Sequence, residues 1–187
     1  MQPGGPDPGH TVLQVPVPEL ETFVRARYEH YDPAYLSADP THVHAHVTVL
    51  GPFVAAPTAE DLARVEAVVA ASPPFEFMLA ELATFPDGII HLLPEPAAPF
   101  AALTRVVHAE FPEHPPYEGR IDSPVPHLTL DLRSDRVTEA STRALLGSLI
   151  PRRCRAERVD LVRYAPGGTG RLASFGLGRG PGEAGQL

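Results

Sequence analysis

Two short segments of the chain alternate so regularly that each reads as a half-buried strand, and each carries the same His-x-Thr pair. In the stretch 44–50, Ala45, Val47 and Val49 fall on one face and His44, His46 and Thr48 on the other. In the stretch 126–132, Leu128, Leu130 and Leu132 oppose His127, Thr129 and Asp131. Such strands bury the apolar face and must give the polar face to water, a ligand or another part of the fold. A structural histidine accounts for either pair alone. It accounts poorly for two pairs in matching surroundings.

The surroundings do match. A strand at 12–17, a helix at 18–31, the first motif strand, a helix opening at Thr58 and strands at 75–85 and 89–93 are expected in that order. A helix at 99–111, the second motif strand, a helix at 138–150 and strands at 156–164 and 172–177 follow. Pro18 and Pro94, His46 and His127, and Thr58 and Thr138 stand 76, 81 and 80 residues apart. One strand-helix-strand-helix-strand unit is therefore read as occurring twice. The expected architecture is α+β and bilobal, a duplicated unit with two mainly antiparallel sheets lining a central cleft and helices outside. Its lobes would be built from repeats at about 12–86 and 89–177, within one domain spanning 10–177. The Pro- and Gly-rich ends, 1–9 and 178–187, read as disordered tails, and 112–126 as a stiff connector.

If an approximate two-fold relates the lobes, both polar faces meet across the cleft. Opening a phosphodiester by in-line displacement needs a base on one side and an acid on the other. Two histidines near neutral pH can fill both roles. A Thr two residues along projects from the same face and can donate to a phosphate oxygen. His46 and His127 are thus the candidate catalytic pair, and Thr48 and Thr129 the candidate phosphate-binding pair. This chemistry asks for no metal and no cofactor. A formal net charge of −8 argues against a protein that coats long nucleic acid, since that affinity rests on Lys and Arg. Cys154 is alone, so no internal disulfide can form. No run is apolar enough to span a membrane, and a cytoplasmic monomer is expected.

The sequences His46-Val-Thr48-Val-Leu-Gly-Pro-Phe53 and Pro126-His127-Leu-Thr129-Leu resemble the paired motifs of the 2H phosphoesterases, which include RNA 2′,3′-cyclic phosphodiesterases and bacterial 2′-5′ RNA ligases. The likeness in element order runs from about 12 to 177. It implies metal-independent hydrolysis of 2′,3′-cyclic or 2′,5′-linked phosphates on a small cyclic nucleotide or an RNA end, with one His as acid and the other as base. In the ligase-like branch a basic residue closely follows the second motif. Here Asp131 and Leu132 precede Arg133, and a carboxylate expected on the motif face would repel a long polyanion, so ligation is not expected.

Other residues carry weaker signals. His42, His44 and His46 form a His-x-His-x-His run that could ligate a metal, yet no further patterned ligands follow; His44 is placed instead at the cleft rim. Phe53 could stack on a base or belong to the core. Tyr117 and Arg120, in the connector, could wall the substrate, and Tyr164 and Arg171 flank the last hairpin within reach of the cleft. Two other readings stay open: a nucleotide- or RNA-end-binding module without catalysis, and a His-rich metal-dependent hydrolase.

Overall fold

The computed structural model describes residues 9–121 and 124–178. Residues 1–8 and 179–187 of the two expected tails lie outside the described residues.

Eight strands form two four-stranded antiparallel sheets. The strands are β1 (His10–Pro16), β2 (His46–Leu50), β3 (Phe75–Thr84), β4 (Ile89–Glu95), β5 (Leu128–Leu132), β6 (Arg152–Ala156), β7 (Arg158–Tyr164) and β8 (Gly170–Gly176). One sheet has the order β2-β1-β7-β8 and the other β5-β4-β3-β6. Four helices connect them: α1 (Glu21–Tyr31), α2 (Ala59–Ala70), α3 (Ala98–Glu110) and α4 (Glu139–Leu146). A single buried cluster, including Val15, Val47, Leu79, Leu92, Phe100, Leu128 and Leu161, runs through both sheets and the helices between them.

The two sheet orders are the same pattern written twice, but neither sheet is one repeat. β3, which closes the first repeat, pairs with β4, and β7, from the second, pairs with β1. Each sheet thus draws strands from both 12–86 and 89–177. The exchange is local in cause: Asp87 and Gly88, at a φ of 96°, form a tight hairpin that keeps β3 beside β4. The helices follow the same exchange. α1 packs against β5 and α3 against β2, each reaching the other repeat's motif strand.

The helix openings behave as their sequence dictates. Thr58 accepts from the Asp61 N–H while the Asp61 carboxylate takes the Thr58 N–H, and Thr138 and Ser141 repeat the arrangement. The last expected helix is shorter, because Gly147 at a φ of 51° turns the chain after Leu146. The strand expected at 156–164 is β7. It is preceded by β6, which is not expected from the sequence; Glu157 separates the two, and they belong to different sheets.

Both motif strands are sheet edges, and they touch each other. In both, the register slips just after the motif Thr. Gln14 faces Thr48 but Leu13 faces Leu50; His91 faces Thr129 but Ile90 faces Asp131. The bulge at Leu130 breaks the alternation expected for 126–132. Asp131 turns inward and is buried, whereas Leu132 is half exposed. The Asp131 carboxylate accepts from Tyr31 Oη at 2.5 Å, Arg27 Nη1 at 3.4 Å and Thr142 Oγ1 at 3.4 Å. It is therefore neutralised by α1 and braced by α4, not presented as a free charge on the motif face. Replacing Asp131 by Ala removes this junction and leaves Arg27 without its counter-charge. A stability loss of about 2–4 kcal/mol is expected, read by urea denaturation against wild type.

Candidate functional site

The rings of His46 and His127 are oriented by the same device. His46 Nδ1 lies 2.6 Å from the carbonyl oxygen of His44, and His127 Nδ1 lies 2.8 Å from that of Val125, in each case two residues back. A carbonyl can only accept, so Nδ1 carries the proton in both rings and Nε2 is left for chemistry. Burial pushes the His46 pKa down to about 4; the neighbouring charge of His127 adds to that effect, against the raising pull of the His44 carbonyl. His127 is lowered as well, first by burial and then by nearby His91, with the Val125 carbonyl opposing. That the charge of His127 reaches His46 places both motifs in one electrostatic environment.

Different rings support each histidine. Tyr164 Oη stands 3.4 Å from His46 Nδ1 and donates to Gln14 Oε1 at 2.7 Å. His127 instead packs edge-on against Phe85, with ring centres 4.8 Å apart, and against His91 at 5.3 Å. His91 is buried, stacked on Phe85 at 3.8 Å, and faces Thr129 across the ladder. Gln14 and His91 thus occupy matching places beside the two motif threonines. Thr48 is engaged by the hydroxyl of Tyr117. Tyr117 sits in the left-handed region at φ 51°, ψ 35°, and its N–H donates to Gly51 O at 2.8 Å, which fixes the connector onto the end of the first motif.

Two cavities meet at His46. One, of about 500 Å³, is lined by Arg27, Tyr28, Tyr31, Asp32, Thr129 and Asp131 among others. The other, of about 420 Å³, is lined by His10, Tyr28, Asp32, Tyr35, Thr48, Tyr117 and Tyr164 with Gly51 and Pro52. Of the residues expected at the cleft, His44, His46, Thr48, Thr129, Tyr117 and Tyr164 line these cavities, and His127 lies close enough to affect His46. Phe53 does not line them. It is buried, with its ring against Phe111 at 4.9 Å, because the chain turns inward after Pro52. Arg120 is largely exposed and pairs with Glu118. Arg171 reaches Thr41 at 3.3 Å and Asp160 at 4.0 Å, away from both cavities.

His44 lies behind His46 rather than at the rim. Its side chain is fully buried, Nδ1 donates to Glu21 Oε1 at 2.8 Å, and Nε2 accepts the Ser37 N–H at 3.1 Å. With both nitrogens taken, the His42-His44-His46 run cannot converge on a metal. Among the described residues no three His, Cys, Asp or Glu side chains are placed to hold one. Glu21 Oε2 also accepts the N–H groups of His44 and Ala45, at 2.6 and 2.9 Å, which is why β2 starts at His46 and not at His44. Burial opposes the ionised form of Glu21, yet these bonds prevail and lower its pKa.

Sequence reasoning missed Glu21, Gln14, Tyr28, Asp32 and His91. Gln14, a fully buried amide in an otherwise apolar strand, gave a usable signal. The α1 residues gave none, since their relevance depends on where the helix packs.

The buried histidines make a stability prediction. His42 is held down to about 4, chiefly by burial, and its Nε2 is buried without a partner. In the unfolded chain His42 and His46 titrate near 6.5, so between pH 6.5 and 4 the unfolded state binds the extra protons. Stability is full above pH 6.5 and falls as pH drops; His42 alone should contribute roughly 3 kcal/mol to the loss by pH 4. Urea denaturation at pH 7, 5.5 and 4.5 measures the loss, and an NMR titration of the His42 ring with a midpoint near 6.5 would contradict it.

Comparison with solved structures finds the same fold at low identity. A protein described as a phosphoesterase superposes with a TM-score of 0.57 at 18% identity, covering 91% of this chain and 99% of that one. E. coli LigT in complex with 3′-AMP gives 0.55 at 17%, with 90% and 98% covered. TT0787 of Thermus thermophilus gives 0.58 at 20%, with 92% and 99% covered. A search of the curated proteins finds no match. No helix among the described residues is long and apolar enough to cross a membrane. Residues 16–168, a span that takes in both His-x-Thr motifs, match the 2′-5′ RNA ligase superfamily, and the chain belongs to that family.

Proposed function

We propose that the protein is a metal-independent phosphodiesterase acting on 2′,3′-cyclic or 2′,5′-linked nucleotide phosphates. The observation that carries this reading is the pair of histidines, each with Nδ1 bound to the carbonyl two residues back and Nε2 left for chemistry, at matching places on two contacting strands. The fold relative LigT has been solved with 3′-AMP, ATP and NADP+, which accords with a nucleotide ligand.

In the reaction, Thr48 and Thr129 donate to the nonbridging oxygens of the phosphate. His46, kept neutral by burial, accepts a proton at Nε2 from the attacking water. The new P–O bond forms in line with the P–O bond that breaks. His127, protonated, gives its Nε2 proton to the departing ribose oxygen, and solvent returns both groups to their starting states. Tyr164, held by Gln14, keeps the His46 ring in place, and the Phe85 and His91 rings do so for His127.

The test is turnover of the four nucleoside 2′,3′-cyclic monophosphates in EDTA, beside His46→Ala and His127→Ala. Wild type should turn over at least one, and each variant should lose on the order of a hundredfold or more. Activity that needs added metal sinks the mechanism, and binding without turnover favours a nucleotide-binding module.

The pH dependence gives a second check. With both histidines lowered by burial, kcat/KM should be bell-shaped with its maximum below pH 6.5 and an acid limb near 4 as His46 takes up its proton. A maximum above pH 7.5 would contradict the assigned roles.

A further inference from the structure

All five tyrosines of the chain line the two cavities that meet at His46. Tyr28, Tyr35, Tyr117 and Tyr164 gather around the smaller one, with His10 stacked on Tyr164 at 5.8 Å between ring centres. Aromatic walls of this kind accept a nucleobase by stacking, and the volume suits one small ligand.

The charges in the cavities are the reverse of what a polyanion needs. Arg27 is the one Arg among the described residues lining either cavity, and its guanidinium is matched by buried Asp131. Asp32 lines both cavities. It is fixed between two of the tyrosines: its N–H donates to Tyr28 O and its carbonyl accepts the Tyr35 N–H, both at 2.9 Å. Its charge is felt at the Tyr28 hydroxyl, whose pKa is raised to about 12, mainly by burial and in smaller part by Asp32. Hydroxyls and imidazoles at the junction serve one negative charge. No unmatched Arg among the described residues lines the cavities to serve a second, and Asp32 opposes it.

Resting on the phosphodiesterase reading, we propose that the substrate is a single nucleoside 2′,3′-cyclic phosphate bearing one negative charge, its nucleoside lying in the tyrosine-walled cavity and Asp32 turning away any further phosphate. Asp32 is a specificity residue and takes no part in bond making. Oligonucleotides and 5′-phosphorylated ends are disfavoured for the same electrostatic reason.

The experiment compares adenosine 2′,3′-cyclic phosphate with the same compound carrying a 5′-phosphate, in wild type and Asp32→Asn. At low salt the wild type should prefer the 5′-hydroxyl compound by about tenfold or more in kcat/KM, a preference that shrinks as salt is raised. Asp32→Asn should narrow it by about fivefold, read as the ratio of kcat/KM for the two compounds within the same variant, so that any loss common to both cancels, with the unfolding temperature at the wild-type value. Equal turnover of both compounds by wild type, or an unchanged preference in Asp32→Asn, overturns this inference and leaves the phosphodiesterase reading standing. Turnover of neither compound overturns this inference, and turnover of none of the four nucleoside 2′,3′-cyclic monophosphates overturns both.

Discussion

Helix α1 is anchored by polar contacts at both ends, and the site depends on those two anchors. At its start, Glu21 accepts two backbone N–H groups and the ring of His44 in the segment that leads into the first motif. At its end, Arg27 and Tyr31 hold the buried carboxylate of Asp131 in the second motif strand. One rigid helix therefore sets the position of one motif strand relative to the other. Ion pairs on a solvent-exposed face contribute little, but Asp131 is buried and shared by three side-chain donors, so losing it leaves the charge of Arg27 unmatched. Tyr28 within the helix and Asp32 just past its end are then carried to the two cavities.

Duplication alone does not bring the motifs together. Strand exchange does: β3 joins the second repeat's sheet and β7 the first's, so a common core runs through both. The motif strands are left as edges, and edge strands carry backbone groups without ladder partners on one side. The carbonyls of His44 and Val125, just before each motif strand, take the imidazole Nδ1 protons, so the chain leading into the strand sets the tautomer of both histidines. The bulge after each Thr shifts the ladder register at the same point in both strands.

The symmetry is incomplete around the two rings. His46 has a tyrosine hydroxyl and an amide behind it, while His127 has two aromatic rings. Burial lowers both pKa values, with the stronger effect on His46. Two halves with one backbone plan can thus give two imidazoles different proton affinities, because proton affinity follows local burial and not strand geometry.

The sequence by itself determined both motif strands, the four helices and the Thr caps of α2 and α4. Those features depend on periodicity and capping, which act over a few residues and leave a pattern in the chain. The tertiary structure alone decided that Asp131 turns inward, that His44 is locked by Glu21, and that Phe53 joins the core. It also decided that the lobes exchange strands. Each of these depends on a partner distant in the sequence: Arg27 and Tyr31 stand about a hundred residues from Asp131, and a bulge flips a side chain without altering its local composition. The tyrosine-walled cavities belong to the same class, since their walls come from α1, the connector before β5 and the end of β7, and only packing brings those segments together.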